Sequence, residues 1–402
     1  MHAITILRQC LNPLLAHIHA RRLATLFEAV ASCIAGPRLT LTDVGRRFGG
    51  GASLRHKIKR ADRLLGNTRL HSEAGSIYTA VCHVALARVR EPVIIVDWSD
   101  LKPDQSLQSL QSLRASLAVG GRSLTLYEEV HPQRKLGNRG VQHRFLQRLA
   151  QRLPAGAAPI IVADSGFKVP FFREVERLGW RWVGRIRGRD YIRLSKRWVG
   201  CKSLFEKATE TPTSLGEGDW VRSNPLRAIF VLVRRAKQGR SAKTANGGRS
   251  RSKKSIQAAR AAREPWLLVA CTALAAWAPK KVAKLYRQRM QIEESFRDMK
   301  SQHFGEGLEC SRSDGVGRFT VLVLIASLAA FLLWLLGTAA ERLQLHQRLR
   351  PGSRKRRAYS RLFLARLLLV LDNYRHLLED LFATVGDASE WVAADHDALL
   401  VA

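Results

Sequence analysis

Between residues 286 and 300 the chain reads Tyr-Arg-Gln-Arg-Met-Gln-Ile-Glu-Glu-Ser-Phe-Arg-Asp-Met-Lys. Neither glycine nor proline interrupts it, and residues 280–285 lead into it, so a helix is expected. At about 100° per residue, with Tyr286 at zero, Arg289 falls near 300°, Glu293 near 340° and Lys300 near 320°. These four make one stripe. Leu285, Ile292, Phe296 and Met299 make an apolar stripe beside it, and Glu294, at about 80°, points elsewhere. A carboxylate flanked by two cations and a phenol at the edge of a core suits a metal ion and a phosphate backbone. The same residues also describe an ordinary solvated charged face, and this helix alone leaves both readings open.

Other carboxylates end apolar runs. Pro92-Val-Ile-Ile-Val-Asp97 and Pro159-Ile-Ile-Val-Ala-Asp164 read as buried strands that close on an acid. An aspartate after a strand often only starts a turn. Asp100 and Asp104 lie beyond the first run and compete weakly with Asp97. Leu113–Val119 and Arg122–Val130 alternate across Gly120-Gly121, a hairpin signal. A helix is expected over Gln142–Leu153, another over Val169–Leu178, and strands over Trp180–Ile186 and Trp266–Cys271. Three strands, helix, strand, helix, strand is the order of a ribonuclease-H-like α/β fold. That fold places acids at the ends of its first and fourth strands and on a later helix, here Asp97, Asp164 and Glu293.

Composition points to the partner. The chain has 402 residues, with 67 Lys and Arg against 33 Asp and Glu, a net charge of +34. The excess runs from Arg21 to Arg366, so a polyanion is expected, nucleic acid ahead of a membrane surface. Six dispersed cysteines without a CxxC pair read as reduced and mostly buried, in a cytoplasmic protein. The twelve histidines form no HxxxH pair. Residues 319–337 lack charge for 19 positions, long enough for a membrane span. With no partner span, they read as a core helix, and no membrane association is expected.

Three regions follow. Residues 1–75 form a helical region. In it Thr42 or Asp43 caps a short helix Val44–Phe48, Gly49-Gly50-Gly51 breaks it, and Ser53 caps a basic helix to Leu65. This is a helix-turn-helix-like pattern, equally open to a bundle with a basic face. Residues 90–340 form the catalytic domain, interrupted at 190–263 by an insertion in which only Arg227–Val233 is a convincing strand. Ser241–Arg260 reads as a mobile basic loop. Residues 345–402 form a helical C-terminal region, with a basic linker from Pro351 to Arg357 and a Leu-rich helix Leu362–Leu381 suited to pairing.

Tyr286, Arg289, Glu293 and Lys300 fit the signature Tyr-x2-Arg-x3-Glu-x6-Lys without a gap. With IVDWSD (95–100), ADSGFKVP (163–170) and RADRLLGN (60–67), they make the chain resemble the DDE transposases of bacterial insertion sequences. The resemblance runs from about residue 20 to about 340 and is weakest across 190–262. It implies cut-and-paste transposition through hairpin ends. Asp97, Asp164 and Glu293 would hold two magnesium ions, for which manganese can substitute. Tyr286, Arg289 and Lys300 would contact the DNA backbone near the cut. Trp266 would stack a flipped base, and Arg185 would contact DNA. Lys57 and Arg60, on the basic helix, would bind the terminal inverted repeats, and target DNA would be the second substrate. It further implies a homodimer in the synaptic complex and a bacterial, nucleoid-associated location. The alternatives are a metal-dependent nuclease of the same fold and a DNA-binding repressor without strand transfer.

Overall fold

The computed structural model describes residues 3–101, 109–188, 190–234, 248, 251–253, 255–256, 259, 264–303, 305–349, 352 and 358–401. Asp104, most of the basic run 241–260 and all but one residue of the linker 351–357 lie outside the described residues. The chain divides into two compact units, residues 1–159 with 290–402, and residues 160–289.

The first unit is built on three antiparallel strands, β1 (Val93–Asp100), β2 (Leu110–Ala118) and β3 (Ser123–Pro132), in the order β3-β2-β1. The β2–β3 hairpin forms where the alternation and the Gly pair place it. β2 is buried over its whole length, because helices cover both faces of the hairpin. Tyr127 of β3 stacks on Phe145 of the helix Arg139–Ala150, at 5.1 Å between rings. The buried Ser327, in the helix Val316–Arg342, reaches Glu128.

That helix, uncharged from 319 to 337, is apolar on every side. It packs against Ala20–Ala35, Thr68–Leu86, Arg361–Val370 and β3. It is the one helix among the described residues long and apolar enough to cross a membrane, and its apolar sides are taken up by these neighbours. A helix without a polar face needs such enclosure, since each fully buried leucine or valine contributes about 1.5–3 kcal/mol.

Near the N-terminus, the helices Leu41–Arg46 and Leu54–Leu65 pack closely. The short helix starts earlier than the sequence indicates, and Thr40, not Thr42 or Asp43, caps it by accepting from the Asp43 N–H. Ser53 stands at the cap position of the second helix, but its hydroxyl bonds the His56 ring at 2.9 Å and not a backbone N–H. A Cβ on Gly45 would lie 2.6 Å from the Ile58 Cα, so only glycine lets the two backbones approach this closely. The Leu-rich segment 362–381 is not one helix. It divides into Arg361–Val370, a 3-10 turn Asp372–Leu377 and Leu378–Thr384.

Among its described residues the second unit has seven strands. They are β4 (Ile160–Ala163), β5 (Arg181–Ile186), β6 (Tyr191–Leu194), β7 (Arg197–Gly200), β8 (Thr213–Trp220), β9 (Leu226–Val233) and β10 (Trp266–Ala270). Their order is β4-β5-β10-β9-β8-β6-β7, with β4 and β5 parallel and the other pairs antiparallel. The insertion thus holds four strands where one was expected. β6 and β7 are only four residues long, and β8 (Thr-Ser-Leu-Gly-Glu-Gly-Asp-Trp) shifts register between Ser214 and Gly216. Pairing with β9, not an apolar period of its own, makes β8 a strand.

Candidate active site

The segment 286–300 is not one continuous helix. A first helix spans Pro279–Arg287 and a second Met290–Lys300. At the break the Gln288 side chain donates to the Lys284 carbonyl, the acceptor its own N–H would use in an unbroken helix. The Gln288 and Arg289 N–H groups instead reach back three residues, to Leu285 and Tyr286. The wheel therefore holds for Glu293 and Lys300 but does not carry over from Tyr286 and Arg289.

Glu293 and Lys300 ride on the second helix, which lies along β1–β3 within the first unit. Its Gln291 side chain accepts from the Val119 N–H at 2.9 Å, and the Ser295 hydroxyl from the Ser123 N–H at 3.0 Å. Two turns on, Lys300 Nζ donates to Ser99 Oγ at 2.9 Å. Because β1 and β2 are antiparallel, with Ile94 opposite Leu117, the helix runs in the same direction as β1. Alternation puts Asp97 on the face of β1 that carries Ser99. Asp97 precedes Ser99 by two residues, about 7 Å, and Glu293 precedes Lys300 by seven, about 10 Å. Asp97 thus lies on the side of β1 that this helix covers.

Glu293 is exposed, and Glu294 is half-buried and pairs with Arg297 and with Arg122, the latter at 3.8 Å. Asp298 is held by Arg122 Nε at 2.6 Å. Asp97 is half-buried, and its Oδ1 accepts from the Trp98 N–H at 2.8 Å. Asp100 points to the opposite face and accepts from Gln111. Burial depresses the Lys300 ammonium below its usual value, with Asp100 acting against that shift. Ser99 and Arg122 escape a motif-based reading, yet one anchors Lys300 and the other ties up Glu294 and Asp298.

In the second unit, Asp164 directly follows β4 and is half-buried, and its Oδ1 accepts from the Gly166 N–H at 2.7 Å, closing a turn. Tyr286 is buried and meets Trp266 edge-on, 5.0 Å between ring centres. Trp266 is 6% exposed and pairs in β10 opposite Val233, so it has the surroundings of a core tryptophan. The Arg185 guanidinium lies 5.9 Å from its ring. Glu264 binds Arg187 through two bonds of 2.9 and 2.7 Å and stands 3.9 Å from Arg185. Burial lowers the pKa of Arg185. Arg289 is half-buried.

On the helix Leu54–Leu65, Lys57 is half-buried, and Arg60 pairs with Glu28 and lies 4.4 Å over the Phe48 ring. Arg55, His56, Lys59 and Arg63 make the exposed stripe.

Among the described residues no three or more His, Cys, Asp or Glu already stand together as a metal-holding group. Asp97 and Glu293 belong to the first unit and Asp164 to the second.

The chain is an α/β protein whose helix Met290–Lys300 is tied through Lys300 to the strand that carries Asp97. The transposase DDE domain model matches residues 89–330, more than half of the chain. The chain belongs to that family, and its function is that of a DDE transposase, an enzyme class that binds DNA and generally uses divalent metal ions. No curated protein matches it.

Proposed function

We propose that this chain is a cut-and-paste DNA transposase. It binds the ends of an insertion sequence, excises the element through hairpin ends and joins it to target DNA. Its Tyr-x2-Arg-x3-Glu-x6-Lys signature and the segments around Asp97 and Asp164 resemble the transposase of insertion sequence ten. The observation that supports the reading is the hydrogen bond from Lys300 to Ser99, which ties the end of the signature helix to the strand that carries Asp97.

Asp97, Asp164 and Glu293 are the acids proposed to hold magnesium. Three carboxylates are hard oxygen donors of the kind magnesium takes, and the exposure of Glu293 leaves its oxygens accessible. Held by these carboxylates, magnesium would supply activation of the attacking oxygen and stabilisation of the leaving one. Lys300, held by Ser99, brings a cation to the strand that carries Asp97, where it can neutralise a phosphate. Tyr286, Arg289, Arg185 and Trp266 are the proposed DNA contacts of the second unit. For Trp266 to stack on a flipped base, the Tyr286 ring edge has to move off the indole. A homodimer in the synaptic complex and a cytoplasmic, nucleoid-associated location complete the proposal.

The test is cleavage of end DNA in magnesium. Glu293→Ala is expected to abolish strand cleavage and retain end binding. Glu294→Ala, whose carboxylate is committed to Arg297 and Arg122, is expected to cleave. Equal behaviour of the two variants would overturn the assignment of Glu293 rather than Glu294.

A further inference from the structure

The outer edge of the second unit carries an arginine–aromatic face that the transposase signature does not include. β6 and β7 end the sheet, and Arg193 sits directly opposite Trp198, with Tyr191 opposite Gly200. Tyr191 is 42% exposed, and Gly200 leaves the space beside its ring without a side chain. Arg222, exposed, reaches over from the β8–β9 turn. Its guanidinium lies 4.2 Å from the Tyr191 ring centre and 5.9 Å from that of Trp198. Arg193 lies 5.5 Å from Trp198 on the same face.

The backbone is bent to hold this arrangement. Val221, directly before Arg222, has φ of +67°, which a β-branched residue rarely adopts. Its N–H donates to the Tyr191 carbonyl at 2.9 Å, fixing Arg222 above the ring. At the β6–β7 turn, Ser195 and Lys196 also have positive φ, +46° and +73°, so this tight turn is made without glycine. Lys196 and Arg197 project there, exposed. On this face Arg193 and Arg222 are opposed by Asp219, which Arg193 engages.

A guanidinium layered on a phenol ring offers a flat, cationic surface. Bases stack on arginine planes and on aromatic rings without regard to sequence, and neighbouring cations take the phosphates. A duplex hides its base faces, so such a surface suits unpaired nucleotides. We infer that the Tyr191–Trp198–Arg222 face of the insertion binds an unpaired stretch of DNA. This rests on the reading of the chain as a DNA-acting enzyme.

The experiment uses the full chain with two probes, an oligothymidylate and a blunt duplex of the same length. The wild type is expected to bind both, and the oligothymidylate to quench tryptophan fluorescence. Tyr191→Ala should weaken oligothymidylate binding roughly five- to hundredfold, the range for losing one stacked base, and leave duplex binding unchanged. Tyr191→Phe should stay within about twofold of wild type, because its π-face survives. Arg222→Gln, at an exposed position, should lose affinity in the same direction and guards against a folding defect in Tyr191→Ala. Wild-type binding of the duplex but not the oligothymidylate would overturn this inference alone. So would undiminished oligothymidylate binding by both Tyr191→Ala and Arg222→Gln. Failure of the wild type to bind either probe would remove the DNA reading and this inference with it.

Discussion

Replacing Glu306 by glutamine tests how the loop after the signature helix is held. Glu306 is 6% exposed, and its Oε2 has no hydrogen-bond partner among the described residues. Its backbone is a junction: its N–H donates to the Asp298 carbonyl at 2.8 Å, and its carbonyl accepts from the Leu39 N–H at 2.6 Å. Burial pushes its carboxyl from the ordinary 4.5 up to about 8, against the opposing pull of Arg366 and Arg114. A carboxyl raised in the folded state keeps its proton there while the unfolded chain loses it. Between about pH 4.5 and 8 the folded form therefore binds more protons, and stability falls as pH rises. The slope approaches about 1.4 kcal/mol per pH unit, and the total is on the order of 4–5 kcal/mol. Glutamine copies the shape of the protonated acid and does not titrate. Urea unfolding at about pH 5, 7 and 9, followed by tryptophan fluorescence, measures the difference. Variant and wild type should nearly coincide at the lowest pH, and the variant should be the more stable by several kcal/mol at the highest. A stability gap that does not widen with pH would show that Glu306 is ionised in the folded protein and would refute this reasoning.

Further outcomes are expected elsewhere. Lys300 has a depressed pKa, so the folded state bears a cost for its charge at neutral pH, and that cost is relieved as pH rises through the lowered value toward 10.5. Lys300→Met should therefore melt no lower than wild type at pH 7 while losing cleavage; a lower melt with intact cleavage would contradict this. Trp266→Ala empties a buried site at a cost of roughly 3–5 kcal/mol, whereas Trp266→Phe keeps a π-face and should retain nicking and hairpin formation. Below its melt, Trp266→Ala should accumulate nicked DNA with little hairpin, and an equal loss at every step would assign the indole to packing alone. Arg60→Ala, which breaks the Glu28 pair and the contact with Phe48, should lower stability by roughly 1–2 kcal/mol. In binding titrations against salt, Lys59→Ala should flatten the salt slope by about one phosphate contact.

The local elements were largely legible from residue order. Apolar runs closed by Asp97 and Asp164, an alternating hairpin and the uncharged stretch 319–337 each carry their own physics, and each is present as a strand, a hairpin or an enclosed helix. That Glu293 shares a stripe with Lys300 while Glu294 does not also came from periodicity, because all three lie within one unbroken helix. What periodicity could not supply depends on partners distant in sequence. The helix break at Gln288 turns on a side chain capturing a carbonyl, a competition that a wheel does not contain. β6, β7 and β8 have too little apolar pattern to announce themselves and exist through their neighbours in the sheet. Periodicity places Arg60 and Lys57 on one basic helix, but only the fold sets Glu28 and Phe48 beside the first and half-buries the second. Charge type is written in the sequence, but whether a charge meets solvent, a carboxylate or a ring is decided only when the chain brings distant residues together.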